Sequence, residues 1–354
     1  MSSVVLSLFF LTILGFSYTE AGFFKSDEIY YVEIAFNGLL PGPDRYLWHL
    51  INYFIVHVDL YLAGVPLKLI NIPVSVFTLL LLWKVFDRNY YIFYLPLFLP
   101  YYTFLSVFNL RDHLIILLSI AAIMAFFSSG LKGRLVFIAI IIALFFLRSF
   151  SSAIIFLMLF VYVFFVWMGR LLHRRMNYNY FFVIAISIVT VSFFYPLISD
   201  KFDVYYKWFV HTTTVGADEH IQLVSDGVST GNRMLDFGIS LVRYIITPLP
   251  TSLISRLLQG GSPIWGWFDD VVRIFNQCGY YFLLLYLLIN LKVLFRSLKA
   301  AAAEKIFIFL LLMSYWPIYS FHLYGSTHQR LKIPFQIAIF LMFLLVNNRK
   351  RNCQ

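Results

Sequence analysis

The sequence predicts an all-helical membrane protein, a polytopic bundle of about ten transmembrane helices that form one integral membrane domain over residues 1–354. Hydrophobic residues make up 61% of the chain and charged residues only 12%, which leaves too little polar surface to cover a water-soluble globule. Apolar runs of about twenty residues recur along the sequence, and each could cross the hydrocarbon core as a helix with its backbone bonds satisfied internally. The composition therefore excludes an ordinary soluble domain.

Ten apolar runs are candidates for spans. We place them near residues 4–18, 66–83, 90–108, 113–129, 135–148, 152–169, 180–198, 279–296, 306–322 and 331–348. We interpret the first run as a retained span, with a cleaved signal peptide as the alternative. The segment 46–63 is also apolar, but it contains polar residues such as His49 and Asp59, and a crossing there would invert every later loop. We expect it to form an interfacial helix.

The basic clusters between the spans fix the expected orientation. They are Lys84 with Arg88, Lys132 with Arg134, Arg170 with Arg174 and Arg175, Lys292 through Lys305, and Arg349 through Arg351. All of them fall on one side of the ten-span arrangement, and cytoplasmic loops collect lysine and arginine. Both termini are then cytoplasmic. Two long segments lie outside: residues 19–65, with interfacial helices, and residues 199–278, one large extracytoplasmic loop.

Several function classes find no support in the sequence. The formal charge of +10 is spread over short clusters rather than a continuous basic stripe, so we do not expect nucleic-acid binding. There is no Walker-type phosphate loop, no Gly-x-Gly-x-x-Gly fingerprint and no His or Cys cluster with metal-ligand spacing. We expect no cofactor, and nothing indicates a divalent cation.

Two adjacent carboxylates, Asp27 and Glu28, follow the first span at the outer membrane boundary. A partly buried carboxylate there could act as general base and take the proton from a sugar hydroxyl. The alternative is that both residues stabilise the N-terminus of an amphipathic helix. Asp27 and Glu28 are our candidate catalytic residues.

Several arginines lie at span ends on the outer side, against the usual preference for the cytoplasm. Arg111 and Asp112 occupy one short outer turn, Arg148 another, and Arg330 the last outer loop, where His328 precedes it. Cations at span ends are costly unless they reach headgroups, pair or bind a ligand, and several on one face suit a phosphate or diphosphate. We therefore predict that Arg111, Asp112, Arg148, Arg330 and His328 bind such a group. The alternative is pairing of Arg111 with Asp112, the other arginines reaching lipid headgroups.

The large loop supplies two further candidates, Arg233 and Arg243. Asp236 lies between them, and on a helix residues 233 and 236 would share a face with 243 close by. A solvated helix face explains the same pattern. We include Arg233 and Arg243 among the candidate diphosphate-binding residues.

In layout, residues 27–84 resemble the start of membrane glycosyltransferases of the GT-C type, with an acidic pair, an aromatic segment and then Leu67-Lys68-Leu69-Ile70-Asn71. Residues 46–165 are similar to EpsG-like and Wzy-type polysaccharide polymerases. This similarity rests on Asn109-Leu110-Arg111-Asp112 before one span and Leu147-Arg148-Ser149 before another. The final Arg330 before an apolar span also suits that group.

The resemblance implies a bacterial inner-membrane enzyme with its active site on the periplasmic side. It would transfer a sugar or oligosaccharide from a polyprenyl diphosphate carrier, most specifically as polymerase of surface polysaccharide repeat units. Its partners would be the lipid-linked glycan, the bilayer, and the chain-length regulator and flippase of the same pathway. Three alternatives stay open: a single-sugar GT-C transferase, a transporter or flippase for lipid-linked sugars, and a non-catalytic subunit of an assembly complex.

Overall fold

The computed structural model describes residues 7–10, 12, 26–38, 45–58, 64–128, 130–171, 233–259, 264–320 and 329–352. Within these ranges the regular structure is helical throughout and contains no strand. The predicted span at 180–198, most of the span at 4–18 and most of the loop at 199–278 lie outside the described residues. The all-helical class predicted from the sequence is confirmed for the part of the chain that is described.

The described residues between 26 and 171 form nine α-helices and one 3₁₀ helix. Their bounds are α1 Ser26–Asn37, α2 Tyr46–Val58, α3 Gly64–Leu69, α4 Asn71–Val85, a 3₁₀ helix Tyr90–Tyr94, α5 Leu95–Phe98, α6 Pro100–Leu105, α7 Asp112–Phe127, α8 Leu131–Leu147 and α9 Ser149–Leu171. The described C-terminal part contains six more. They are α10 Arg233–Ile246, α11 Pro250–Gln259, α12 Ile264–Ile289, α13 Leu291–Ala300, α14 Ala303–Ser320 and α15 Gln329–Asn352.

Three described segments are long and apolar enough to cross a bilayer: Pro66–Val85, Gly266–Ile289 and Arg330–Arg349. The helices Asp112–Phe127 and Ser151–Phe160 are apolar but shorter. These helices support a membrane-embedded protein, while the ten crossings, the cytoplasmic termini and the sidedness remain predictions. Several predicted spans nevertheless match helices closely, because the runs at 113–129, 135–148 and 306–322 correspond to α7, α8 and α14.

The run at 90–108 differs from the single span that we predicted, since it forms a 3₁₀ helix and two short α-helices. The helical conformation is interrupted at Leu99, where φ is −127° and ψ is 65°. Pro100 follows, and a proline excludes the α conformation from the residue before it. Apolar composition alone could not reveal this break.

The run at 279–296 also differs from prediction. Helix α12 already begins at Ile264 and ends at Ile289, and a separate helix, α13, begins after Asn290. Residues 264–278, which we assigned to the large outer loop, are therefore continuous with the predicted span. Their charged residues made them look like loop, but two of them, Asp269 and Arg273, form an ion pair and lie largely inside the protein.

Helix α15 forms the centre of the bundle. Residues 331–341 are all buried, and a helix that is apolar and buried all round must be enclosed by others. It packs against α12, α13 and α14, while α7 packs against α4, α8 and α14. Helix α8 lies at the periphery, because Leu144 and Leu147 are its only buried residues. The ends of α7, α8 and α15 meet at one place, which is the candidate site.

Candidate functional site

Asp112 lies between two arginines that come from distant parts of the chain. Arg148 Nη1 is 3.5 Å from Asp112 Oδ1, and Arg330 Nε is 3.1 Å from Asp112 Oδ2. Asp112 is the first residue of α7, Arg148 directly follows α8, and Arg330 is the second residue of α15. Three helix ends therefore bring one carboxylate and two guanidinium groups together, which we call the Asp112 cluster.

Arg111 completes this cluster. Its side chain is buried, and Nη1 donates a hydrogen bond to the carbonyl oxygen of Leu147 at 2.7 Å. Burial lowers the pKa of Arg111, and the neighbouring charge of Arg148 lowers it further. The structure thus brings together Arg111, Arg148 and Arg330 as we predicted from their positions at span ends. The three guanidinium groups and the Asp112 carboxylate carry a net positive charge between them.

Asp112 was grouped with the diphosphate-binding residues, and that role stays a prediction. In the structure its carboxylate oxygens face Arg148 and Arg330. A carboxylate repels a phosphate, whereas it orients two guanidinium groups through charge-assisted hydrogen bonds. The arrangement favours a positioning role for Asp112, with the arginines as the groups that can meet an anion.

The irregular segment that carries Arg111 is held by side chains from three other elements. Asn71 of α4 donates hydrogen bonds from Nδ2 to the carbonyl oxygens of Phe108 and Leu110, at 2.7 and 2.6 Å. The backbone N–H of Asn109 donates to Glu28 Oε1 at 2.6 Å, and its side-chain amide donates to Asn52 of α2. Backbone groups outside helices need such partners when they are buried. The turn is therefore fixed to α1, α2 and α4.

Glu28 forms a buried ion pair with Lys68 beneath this turn. Lys68 Nζ lies 2.6 Å from both carboxylate oxygens, and both side chains are almost wholly inaccessible. Glu28 therefore already accepts from Lys68 and from Asn109, which leaves its oxygens fewer positions for a further proton. Asp27 lies beside it on α1, but its side chain is outside the described residues.

A second set of charged residues adjoins the Asp112 cluster and was missed at the sequence level. Arg273 Nη2 lies 2.7 Å from Asp269 Oδ2 on α12, and the Arg273 guanidinium lies 5.5 Å from the centre of the Tyr101 ring. The charges of Arg273, Asp269 and Arg330 all act on Tyr101, so the two groups are neighbours. Asp270 is buried beside them. An i, i+4 acid–arginine pair within an apolar run was the signal that could have found them.

The remaining candidates are less well placed. Arg243 is on α10, next to Tyr244, whose hydroxyl donates to the Leu331 carbonyl oxygen at 2.9 Å. The described contacts do not join the Arg243 side chain to the Asp112 cluster. Arg233 begins α10, but its side chain is outside the described residues, as is the whole of His328. For these two residues the sequence prediction is not tested.

Within the described ranges, no group of three or more His, Cys, Asp and Glu side chains could hold a metal ion. Comparison of the chain with protein-family models, with curated proteins and with solved structures gives no match.

Proposed function

We propose that the protein is a bacterial inner-membrane glycosyltransferase that uses a polyprenyl-diphosphate-linked sugar or oligosaccharide. Most specifically, we propose the polymerase of surface polysaccharide repeat units, of the O-antigen, capsule or exopolysaccharide kind, with its site on the periplasmic side. The observation that carries the proposal is the convergence of Arg111, Arg148 and Arg330 around Asp112. Such a cluster of guanidinium groups suits a diphosphate, whose oxygens accept paired N–H bonds.

The proposed reaction needs a group that stabilises the leaving diphosphate and a group that accepts a proton. The acceptor hydroxyl oxygen attacks the anomeric carbon of the donor sugar, and the bond from that carbon to the phosphate oxygen breaks. The diphosphate leaves with the electron pair, and the arginines stabilise its charge. The hydroxyl proton passes to Asp27 or Glu28 as general base. Lys68 and Asn109 already bond Glu28 in the structure, so both candidates are kept.

The position of the arginines at helix ends supports a transferase that meets a lipid-linked donor at the membrane boundary. Arg111 precedes α7, Arg148 follows α8, and Arg330 lies in the first turn of α15. A diphosphate attached to an isoprenoid chain sits at the membrane boundary with its tail in the hydrocarbon, which is where our proposal puts these helix ends. A single-sugar transferase would share this geometry and differ in the size of its donor.

A flippase for lipid-linked sugars is the second candidate, and one observation favours it. Asp269 and Arg273 form a second charged group beside the Asp112 cluster, near the start of Gly266–Ile289, a helix of membrane length. Ionisable residues within membrane helices are typical of substrate pathways through the bilayer. The two functions differ in a measurable product, because only the transferase makes a glycosidic bond.

The test is polymer formation by the purified protein, reconstituted with a polyprenyl-diphosphate-linked repeat unit as both donor and acceptor. Replacement of Arg330 or Arg148 by Ala should lower the rate of chain extension by about 10²-fold, as expected when one stabilising donor is lost. Arg134→Ala is the matched control, because Arg134 lies near the opposite end of the helix that Arg148 follows. Wild-type chain lengths from both cluster variants would refute the proposal, and flipping without bond formation would favour the transporter.

A further inference from the structure

His49 of α2 is buried but has no hydrogen-bond partner on either ring nitrogen among the described residues. Its side chain is about 1% exposed, and Nδ1 and Nε2 are both unpaired. The ring packs against two aromatic rings of α1, with centroid distances of 5.9 Å to Tyr30 and 5.3 Å to Tyr31. A buried polar atom without a partner costs about 1–3 kcal/mol, so an imidazole with two such atoms needs an explanation.

The same helix offers a comparison. His57, two turns further on, is satisfied within its own helix, because Nδ1 lies 2.9 Å from the carbonyl oxygen of Tyr53. The His49 ring, by contrast, packs against the tyrosines of α1. A histidine on this helix can therefore have a partner for a ring nitrogen within the helix, and His49 differs from His57 in having none among the described residues.

The charges that act on His49 are both positive. They belong to Arg45, one turn earlier, and to Arg111 of the Asp112 cluster. The Arg45 guanidinium lies 5.4 Å from the centre of the Tyr30 ring, which His49 also contacts. Burial first, and then these two arginines, lower the pKa of His49 to about 4. The ring is thus neutral at pH 7, with one N–H to donate and one nitrogen to accept.

We propose that Arg45, His49 and Arg111 form an anion subsite that binds a phosphate group of the substrate. This inference rests on the proposed function, in which the phosphate belongs to the polyprenyl diphosphate and the Asp112 cluster holds its other part. A phosphate oxygen would accept from the His49 N–H and from the two guanidinium groups, which satisfies the buried imidazole. Arg111 then links the subsite to Arg148 and Arg330.

A bound phosphate also changes the charge around His49. Among the described residues, the groups found to act on or contact the ring are Arg45, Arg111, Tyr30 and Tyr31, and none of these carries a carboxylate. A phosphate between the two arginines offsets their effect and makes protonation of His49 easier. Binding should therefore take up protons at a pH between about 6.5 and 4, the ordinary and the lowered pKa of His49, and that uptake should depend on His49.

The experiment measures binding of farnesyl diphosphate to the full-length protein in phosphatidylcholine nanodiscs. His49→Gln and Arg45→Gln should each weaken binding at least about tenfold, because each removes a hydrogen bond to a charged group. His57→Gln is the matched control on the same helix and should bind like the wild type. Calorimetry in two buffers of different ionisation enthalpy gives the proton uptake, which should shrink in His49→Gln.

Two further measurements identify which molecule supplies the phosphate and test the subsite separately from the proposed function. If nanodiscs with phosphatidylglycerol compete with farnesyl diphosphate in the wild type but not in His49→Gln, the subsite takes phospholipid headgroups; without competition it takes the carrier. Wild-type affinity and proton uptake in His49→Gln and Arg45→Gln would overturn the subsite. If Arg330→Ala then still weakens binding, the proposed function survives, whereas no farnesyl diphosphate binding by the wild type would count against both.

Discussion

Lys68 and Glu28 are 40 residues apart in the chain and form an ion pair in which Nζ lies 2.6 Å from each carboxylate oxygen. The pair joins α3 to α1, and its glutamate also accepts from the backbone N–H of Asn109. It therefore connects the N-terminal helices to the turn that carries Arg111. Both charges are buried, so neither has water as an alternative partner.

Lys68→Met should destabilise the protein by about 3–5 kcal/mol, because it leaves the Glu28 charge buried without its cation. Thermal unfolding in detergent checks this. The double variant Glu28→Gln with Lys68→Met should recover most of the loss, since no uncompensated charge remains. Lys305→Met is the control, because the partner of Lys305, Asp87, is exposed to solvent. We expect it to change the free energy of unfolding by about 1 kcal/mol or less. A larger loss in the control than in Lys68→Met would contradict this view of the pair.

Asp112→Asn should lower glycan chain extension by about 10²-fold, because Arg148 and Arg330 lose the carboxylate that orients them. Asp112→Glu keeps the charge and should retain more activity. The assay is extension of a lipid-linked repeat unit at saturating donor. If Asp112 only neutralised excess charge, Asp112→Asn would bind farnesyl diphosphate more tightly and keep its turnover, which would exclude the positioning role.

Asn71→Leu should destabilise the turn at 106–111 and reduce activity together. It removes the donor to the carbonyl oxygens of Phe108 and Leu110, and each buried carbonyl left without a partner costs about 1–3 kcal/mol. Asn290→Ala is a control that loses only a bond to the Tyr286 carbonyl oxygen of its own helix. We expect a lower midpoint of thermal unfolding for Asn71→Leu only. Full donor affinity in that variant would mean that Arg111 is positioned by other contacts.

Gly279→Ala should destabilise the contact between α12 and the segment before Leu99. An added Cβ would collide with the backbone carbonyl oxygen of Phe98, which cannot rotate away as a side chain can. Such overpacking costs about 1–3 kcal/mol. Gly238→Ala is the matched control, because a Cβ there meets no atom within 4 Å and alanine favours a helix. Thermal unfolding should therefore separate the two variants; equal midpoints would mean that α12 can shift without cost.

The stability of the unliganded protein should fall as the pH drops from about 6.5 to 4. The pKa of His49 is lowered to about 4 in the folded protein from 6.5, so the unfolded chain binds more protons in this window. The contribution of neutral His49 to the free energy of unfolding is complete above pH 6.5 and is lost as the pH falls towards 4. Unfolding midpoints at pH 7 and pH 4.5, in buffers without phosphate, should differ less in His49→Gln than in the wild type. An unchanged difference would show that the ring is not held in its neutral form.

The sequence predicted the arginine cluster because a cation at the outer end of an apolar run is costly and needs a reason to be there. That argument applies to each arginine separately, so it found Arg111, Arg148 and Arg330 without knowing how they meet. It could not predict that Asp112 would lie between two of them, because that depends on how the ends of α8 and α15 approach α7. From the sequence, Lys68 was only one residue in the motif at the start of a predicted span. Its ion pair could not be predicted, because its partner Glu28 lies 40 residues away.

The helical class follows from composition, but the lengths of individual helices do not. A hydropathy argument treats residues 90–108 as uniform, whereas Pro100 acts on the single residue before it. In the same way, it treats Asp269 and Arg273 as a reason to end a helix, although their ion pair lets α12 continue through them. The misjudged segments are those in which a local steric or pairing effect outweighs average polarity.

The interrupted segment at 90–105 has a consequence for how the chain enters the membrane during synthesis. The amide of Tyr101, which lies in the first turn of α6, donates to Asn276 Oδ1 at 3.1 Å, and Asn276 in turn donates to Gln336 at 3.1 Å. Lipid offers no substitute for such partners. We therefore expect residues 90–105 to settle into their final position only after the ribosome has added the helix that contains Asn276.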